Sequence, residues 1–183
     1  ADLIDAAERF EQGDRSMSPA MQRLLEAGSS PGGARPKSLV REDGTLWIAK
    51  FPSKNRDYGF DVVGLEATCL QVAANAGLDV PTSRISPVPG KKALLVKRFD
   101  IHESGGRCHM ISLRTLCKEA PGAFVLTYKE VMEKIRKHSC RAAEDVEAFF
   151  RQMVFNAVIG NTDDHLKNFL MIHDGRGYRL SKT

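Results

Sequence analysis

Asp163 and Asn168 close the polar run Asn161-Thr162-Asp163-Asp164-His165-Leu166-Lys167-Asn168. A carboxylate and an amide at that separation can divide the work of a phosphoryl transfer. The carboxylate accepts or orients the proton of an attacking hydroxyl, and the amide oxygen holds a divalent cation against nucleotide phosphates. Lys167, between them, can touch a transferring phosphate, and His165 can brace the loop. The same residues also describe an ordinary hydrogen-bonded turn rich in Asn, Thr and Asp.

Three upstream features bear on the choice. Ser29-Ser30-Pro31-Gly32-Gly33-Ala34-Arg35-Pro36-Lys37 is a glycine loop whose backbone N–H groups can approach an anion, although it is no Walker A sequence and Pro-Gly-Gly is also a common turn. Lys50 closes the apolar strand Leu46-Trp47-Ile48-Ala49-Lys50, where alternation puts it on one face with Ile48. Glu66 follows in a helical stretch, where its carboxylate can fix the ammonium of Lys50. Protein kinases place ATP phosphates with such a strand lysine and helix glutamate, and their catalytic Asp and metal-binding Asn have the spacing of Asp163 and Asn168. All four features occur here in kinase order. Between them, Lys97-Arg98-Phe99 ends a strand where a hinge would fall, with Leu95, Val96 and Phe99 available to flank an adenine ring.

These residues need particular elements to hold them. Helical spacing predicts helices over Asp2–Gln12 and from Pro19 to near Gly28. Asp43-Gly44 between two apolar runs predicts a hairpin. Tyr58–Ala76 reads as a helix with Val62, Glu66, Cys69, Leu70 and Ala73 on one face, stopped by Gly77. Strands follow at Arg84–Pro87 and Ala93–Phe99, then helices at Tyr128–His138 and Ala142–Gly160. The last of these has an apolar stripe of Val146, Phe149, Phe150, Met153, Ala157 and Val158. Strand-like pieces at Phe169–Ile172 and Tyr178–Leu180 are joined through Asp174-Gly175. The fold class expected is α+β, and the resemblance of these features to protein kinases implies a two-lobed kinase-like fold, with a β-rich N-lobe and a helical C-lobe that is incomplete here. The segments are residues 1–28 as a helical lead-in, 29–98 as the N-lobe, and 99–183 as hinge and partial C-lobe.

Composition narrows the alternatives. Of 183 residues, 42% are apolar and 27% charged, which excludes collagen-like, disordered and disulfide-scaffold classes. No run approaches the length of a membrane span and no secretory signal is evident, so a cytoplasmic protein with no membrane partner is expected. The net charge of +4 is spread along the chain, too little to argue for direct nucleic-acid binding; a basic nucleic-acid module ranks last among the readings. Cys69, Cys108, Cys117 and Cys140 lack zinc-ligand spacing and read as buried or half-buried reduced thiols.

The Gly32-Gly33-Ala34-Arg35-Pro36-Lys37 loop, Ile48-Ala49-Lys50, Glu66 with Gly77-Leu78-Asp79-Val80-Pro81, Leu95-Val96-Lys97-Arg98-Phe99-Asp100 and Gly160 to Asn168 together resemble the HipA family of bacterial serine/threonine kinases. These are toxins of toxin–antitoxin pairs, and the likeness is to their C-terminal kinase region. The resemblance implies ATP and Mg²⁺ as cofactors, with Asp163 as catalytic base and Asn168 as a magnesium ligand. It implies that Gly32, Gly33, Ala34, Arg35, Pro36 and Lys37 form the phosphate loop, that Lys50, supported by Glu66, contacts ATP phosphates, and that Lys97, Arg98 and Phe99 form the hinge. His165, Leu166, Lys167 and Asn168 would line the nucleotide site, and Ser30 would be the autophosphorylated serine. The partners implied are a protein substrate, in some members an aminoacyl-tRNA synthetase, and a small DNA-binding antitoxin.

The pattern also departs from the family. Only about 28 residues precede the glycine loop, and the family's second metal-binding aspartate would fall beyond Ser181, so the chain, which begins at Ala1, reads as a fragment. The alternative function is therefore a truncated, inactive remnant that binds nucleotide or antitoxin.

Overall fold

The structure, a computed structural model, describes residues 2–14, 16–29, 37–53, 57, 59–88, 91–102, 104–117 and 126–182. Two compact units divide the chain: residues 1–72 with 81–98, and residues 73–80 with 99–183.

In the first unit, β1 (Lys37–Glu42) and β2 (Thr45–Lys50) form a hairpin in which Glu42 faces Thr45. Its two turn residues, Asp43 at φ 47° and Gly44 at φ 76°, both take the left-handed conformation that matches the twist of paired strands. β3 (Ser83–Val88) and β4 (Lys91–Lys97) complete an antiparallel sheet of order β1-β2-β4-β3. Helices cover both faces. Against one face, α1 (Asp2–Glu11) and α2 (Pro19–Ser29) bring Ala6, Ala7 and Leu25 onto Trp47, Ala49, Phe51, Ala93 and Leu95. Against the other, α3 (Val62–Asn75) sets Val63, Ala67 and Leu70 on Leu94 and Val96. That two-sided burial explains why Ala93-Leu94-Leu95-Val96 is a continuous apolar run rather than an alternating one.

α3 starts four residues later than the helical spacing suggests. Asp61 receives the Gly64 N–H on its side chain at 3.0 Å and the Leu65 N–H on its carbonyl at 2.9 Å, and so fixes the first turn. Of the expected face, Ala73 is buried and Leu70 packs on the sheet, while Val62 and Cys69 are only half-buried; Val63, buried, and Ala67 make the rest of the contact, with Glu66 beside them. The helix ends as Gly77 predicts. At φ 78°, the Gly77 N–H reaches Ala74 O at 2.9 Å and the Leu78 N–H reaches Ala73 O at 3.0 Å, a Schellman closure.

In the second unit, β5 (Met110–Ser112), β6 (Leu170–His173) and β7 (Tyr178–Leu180) make a three-stranded antiparallel sheet. It packs with α4 (Leu113–Leu116), α5 (Tyr128–His138) and α6 (Ala142–Val158). This unit is therefore not purely helical, and β5 and α4 were not legible beforehand because three or four residues carry too little periodicity to register. Its core joins Leu113, Val131, Ile135, Phe149, Phe169, Met171 and Leu180, with the Phe149 and Phe169 rings edge-to-face at 5.0 Å.

The apolar stripe expected on α6 is only partly the buried one. Phe149 is buried, but Phe150, Ala157 and Val158 face outward; the inward positions are Asp145, Phe149, Gln152 and Asn156, three of the four polar. Asp145 accepts the Ser139 hydroxyl at 2.6 Å and the Leu180 N–H at 2.7 Å, which ties β7 to the start of α6. Cys140 is exposed rather than half-buried, and all four thiols are free. Among the described residues no helix is long and apolar enough to cross a membrane. Phe149→Ala should cost the second unit about 3–5 kcal/mol, as expected for an aromatic removed from a packed core. Denaturant unfolding monitored on that unit checks this, and a loss below about 1 kcal/mol would show that the packing is looser than described.

Candidate functional site

Each unit holds one half of the candidate chemistry. In the first, Trp47, Ala49 and Phe51 point toward α1 and α2, so alternation sends Lys50, the last residue of β2, toward the α3 face. There its ammonium pairs with the Glu66 carboxylate sixteen residues on. Both side chains are about one-third exposed, and a pair of that exposure adds only ~0.2–1 kcal/mol to stability, so its consequence is orientation rather than folding.

Lys37 lies directly across from Lys50 in the β1–β2 register and is buried. Burial first, and the Lys50 ammonium second, hold its pKa below the ordinary lysine value, while Glu66 acts in the opposite direction. Lys37 and Lys50 thus bring two ammonium groups to one corner of the sheet beside the Glu66 carboxylate, a charge type suited to a polyphosphate. At the other end of the sheet, the Lys97 N–H donates to Thr82 O at 2.8 Å and the Arg98 N–H to Leu46 O at 3.0 Å. Those two donors belong to the sheet and are not free for an adenine ring. Leu95 and Val96 are buried, and Phe99 is half-buried. Ser30, Gly32, Gly33, Ala34, Arg35 and Pro36 lie outside the described residues.

In the second unit, the turn of residues 161–168 follows α6 and leads into β6. It is built on its own backbone. The Asp163 N–H bonds to the Asn161 side chain at 3.1 Å, and the Asp163 carbonyl accepts both the His165 N–H at 3.0 Å and the Asn168 side-chain Nδ2–H at 2.7 Å. Because Nδ2 of Asn168 is held in this way, its Oδ1 is the atom turned outward. Arg114 N–H donates to Leu166 O at 3.1 Å and Leu113 N–H to Phe169 O at 2.9 Å, while the Leu166 side chain packs on the core. Lys167 and Asn168 are exposed.

The two adjacent aspartates have different surroundings. Asp163 is 81% exposed, and the His165 Nε2 lies 3.2 Å from its Oδ1. Asp164 is half-buried and committed on both oxygens: Asn156 Nδ2 donates to Oδ1 at 2.9 Å and the Tyr128 hydroxyl to Oδ2 at 3.0 Å. That hydrogen bond to the carboxylate raises the Tyr128 pKa. Behind Asn156, Gln152 Nε2 donates to its Oδ1 at 3.3 Å. A proton acceptor needs a lone pair open to an incoming hydroxyl, and Asp163 has one.

The sequence reading named Asp163, His165, Leu166, Lys167 and Asn168 but missed Asp164, Asn156, Gln152 and Tyr128. The available signal was Asp145, Gln152 and Asn156, polar residues recurring at helical spacing on the same face as Phe149.

For a divalent cation, Asn168 Oδ1 is a hard oxygen donor, which suits Mg²⁺, usually held by one or two protein oxygens with water and substrate phosphates completing the shell. Among the described residues no group of three or more His, Cys, Asp or Glu side chains could hold a metal alone.

The profile of the family described as HipA-like C-terminal domain matches residues 29–183. A putative kinase of Sinorhizobium fredii, Y4mE, is 29% identical in an alignment of 143 positions that covers 73% of this chain and 32% of that protein. The Shewanella oneidensis MR-1 toxin–antitoxin complex of HipA, HipB and operator DNA superposes with a TM-score of 0.62 at 20% identity, over 82% of this chain and 42% of the other. The Helicobacter pylori proinflammatory kinase CtkA gives a TM-score of 0.65 at 19% identity, over 82% of this chain and 53% of the other. These two likenesses speak for the α+β fold. The chain spans between about a third and about half of the length of these proteins.

Proposed function

The chain belongs to the family of HipA-like C-terminal domains, and from that premise we propose that it supplies the phosphate-binding and catalytic residues of a kinase that moves the γ-phosphate of ATP to a serine or threonine hydroxyl of a protein. The observation that carries the reading is the pair of side-chain arrangements just described: a lysine oriented by a helix glutamate, and an exposed Asp followed by an Asn whose amide oxygen is turned outward.

The roles follow from the chemistry. Lys50, held by Glu66, takes the nucleotide phosphates, and Lys37 adds a second positive charge. The acceptor hydroxyl oxygen attacks the γ-phosphorus, the bond from that phosphorus to the β,γ-bridging oxygen breaks, and ADP carries away the electron pair. The Asp163 carboxylate takes the hydroxyl proton, with His165 keeping it in place. Asn168 Oδ1 is the ligand for Mg²⁺, which when bound neutralises charge on the phosphate oxygens. Lys167, exposed beside them, meets the transferred group.

Ser30 is the proposed internal acceptor; a phosphate placed there adds nearly two negative charges to a loop meant to cradle phosphates, which opposes ATP. A small DNA-binding antitoxin is the proposed partner, in keeping with the HipA and HipB complex.

The test is label transfer by the protein that carries this chain. With Mg²⁺, [γ-³²P]ATP should label protein serine or threonine, [α-³²P]ATP should not, chelation should abolish the signal, and peptide mapping should find Ser30. Absence of γ-label, or equal label from both nucleotides, overturns the reading.

A further inference from the structure

We propose that Asp164 is a positioning residue that clamps the catalytic turn to two helices, so that the placement of Asp163 depends on the Tyr128–Asp164–Asn156 bridge. The inference builds on the kinase reading of this site and assigns a function to a group outside that reading.

The bridge has defined ends. Tyr128 is the first residue of α5, directly after the N-cap Thr127, whose hydroxyl accepts the Glu130 N–H while the Glu130 carboxylate accepts the Thr127 N–H. This capping box sets the first turn of the helix and the backbone from which the phenol projects. The Tyr128 ring also leans on Phe149, centroids 6.2 Å apart, in the core of the unit. Asn156 lies on the buried face of α6, one turn beyond Gln152, with both side chains almost wholly enclosed. Two hydrogen bonds from separate helices therefore converge on one carboxylate in the turn.

Asp163, the next residue back, has mostly short-range ties. Its N–H and carbonyl bond within the turn, and its carboxylate meets His165, also within the turn. Among the described residues the turn is joined to the rest of the unit by two backbone hydrogen bonds, Asn161 N–H to Asn156 O and Arg114 N–H to Leu166 O, by the Leu166 side chain in the core, and by the Asp164 side chain. Of these, Asp164 is adjacent to the base. Holding a reacting group in place is worth a great deal in rate, and a displacement of about 1 Å can cost roughly 10²-fold.

Position and charge make opposite forecasts for one substitution. Asn can replace Asp164 with its Oδ1 accepting from Asn156 and its Nδ2 donating to the Tyr128 oxygen, since a phenol both donates and accepts. The experiment compares Asp164→Ala, Asp164→Asn, Tyr128→Phe and Asp163→Asn. Each is measured for phosphoryl transfer, for ATP affinity, and for amide hydrogen exchange across residues 161–168.

Asp164→Ala should lower kcat by about 10²-fold with little change in the KM for ATP, and should speed exchange in the turn. Asp164→Asn should recover kcat to within roughly tenfold of the wild type and restore slow exchange, whereas Asp163→Asn should stay inactive with normal exchange. Tyr128→Phe, a milder change at a half-exposed ring, should lower kcat by about threefold to tenfold. It keeps the proposal testable if Asp164→Ala fails to fold. Wild-type kcat and exchange in both Asp164→Ala and Tyr128→Phe, or an Asp164→Asn protein as inactive as the alanine variant, overturn the clamp. Full transfer by Asp163→Asn instead overturns the assignment of Asp163 as the base, and no transfer by the wild type overturns the kinase reading, while hydrogen exchange still decides whether Asp164 holds the turn.

Discussion

Lys50→Met is expected to lower phosphoryl transfer by about 10²–10³-fold, the usual loss when one preorganised charge facing a reacting phosphate is removed. Methionine keeps the volume of the lysine stem, and Lys50 ends β2 opposite Lys37 on β1 and Leu94 on β4, so the strand pairing stays intact. What is lost is the ammonium that Glu66 orients. Lys37 retains one positive charge in the same corner, so ATP affinity should fall less than the rate. Lys50→Arg should not recover the rate, because a planar guanidinium cannot sit as a compact point charge against both Glu66 and a phosphate. Glu66→Gln should have a smaller effect, since the lysine charge remains while its aim is lost. Single-turnover transfer together with calorimetric ATP titration checks these three variants. A Lys50→Met protein with the wild-type rate would show that this lysine does not face the nucleotide.

How much of this was legible in the sequence depended on whether the signal was local. Asp43-Gly44 and Gly77 act within a few residues, and the hairpin turn and the end of α3 fall where those residues put them; α5 starts at Tyr128 as its helical spacing suggests. Alternation in β2 was local too and put Lys50 on one face with Ile48, but its pairing with Glu66 depended on which face α3 covers.

The polar interior of α6 was not legible in the same way. Phe150 and Val158 have as much apolar character as Phe149, and nothing in their order shows which side meets β6 and β7. Asp145 is buried with the N–H that Leu180, 35 residues later, brings to it, and Asn156 with the Asp164 carboxylate oxygen to which its Nδ2 donates. Those partners exist only after the chain has folded back. The Asp163-Asp164 pair shows the same limit: identical side chains, adjacent in sequence, are separated in role by Tyr128, which lies 36 residues from Asp164.

The central claim is that Asp163 carries the chemistry and not the binding of nucleotide. In the folded turn its carboxylate is exposed and lies beside one imidazole, while its backbone carbonyl holds the Asn168 side chain. Asp163→Asn leaves that carbonyl, and with it the Asn168 orientation, unchanged. It removes only the group able to take a proton, and general-base contributions are about 10²–10⁴-fold. ATP binding should stay within a few-fold of the wild type if, as proposed, Lys50 and Lys37 hold the phosphates. The most direct measurement is single-turnover transfer of the γ-phosphate by the wild-type and Asp163→Asn proteins at matched ATP saturation. A drop of at least about 10²-fold with ATP affinity preserved is the result expected. Equal transfer rates, or a loss explained wholly by weaker ATP binding, would contradict the assignment of Asp163 as the base.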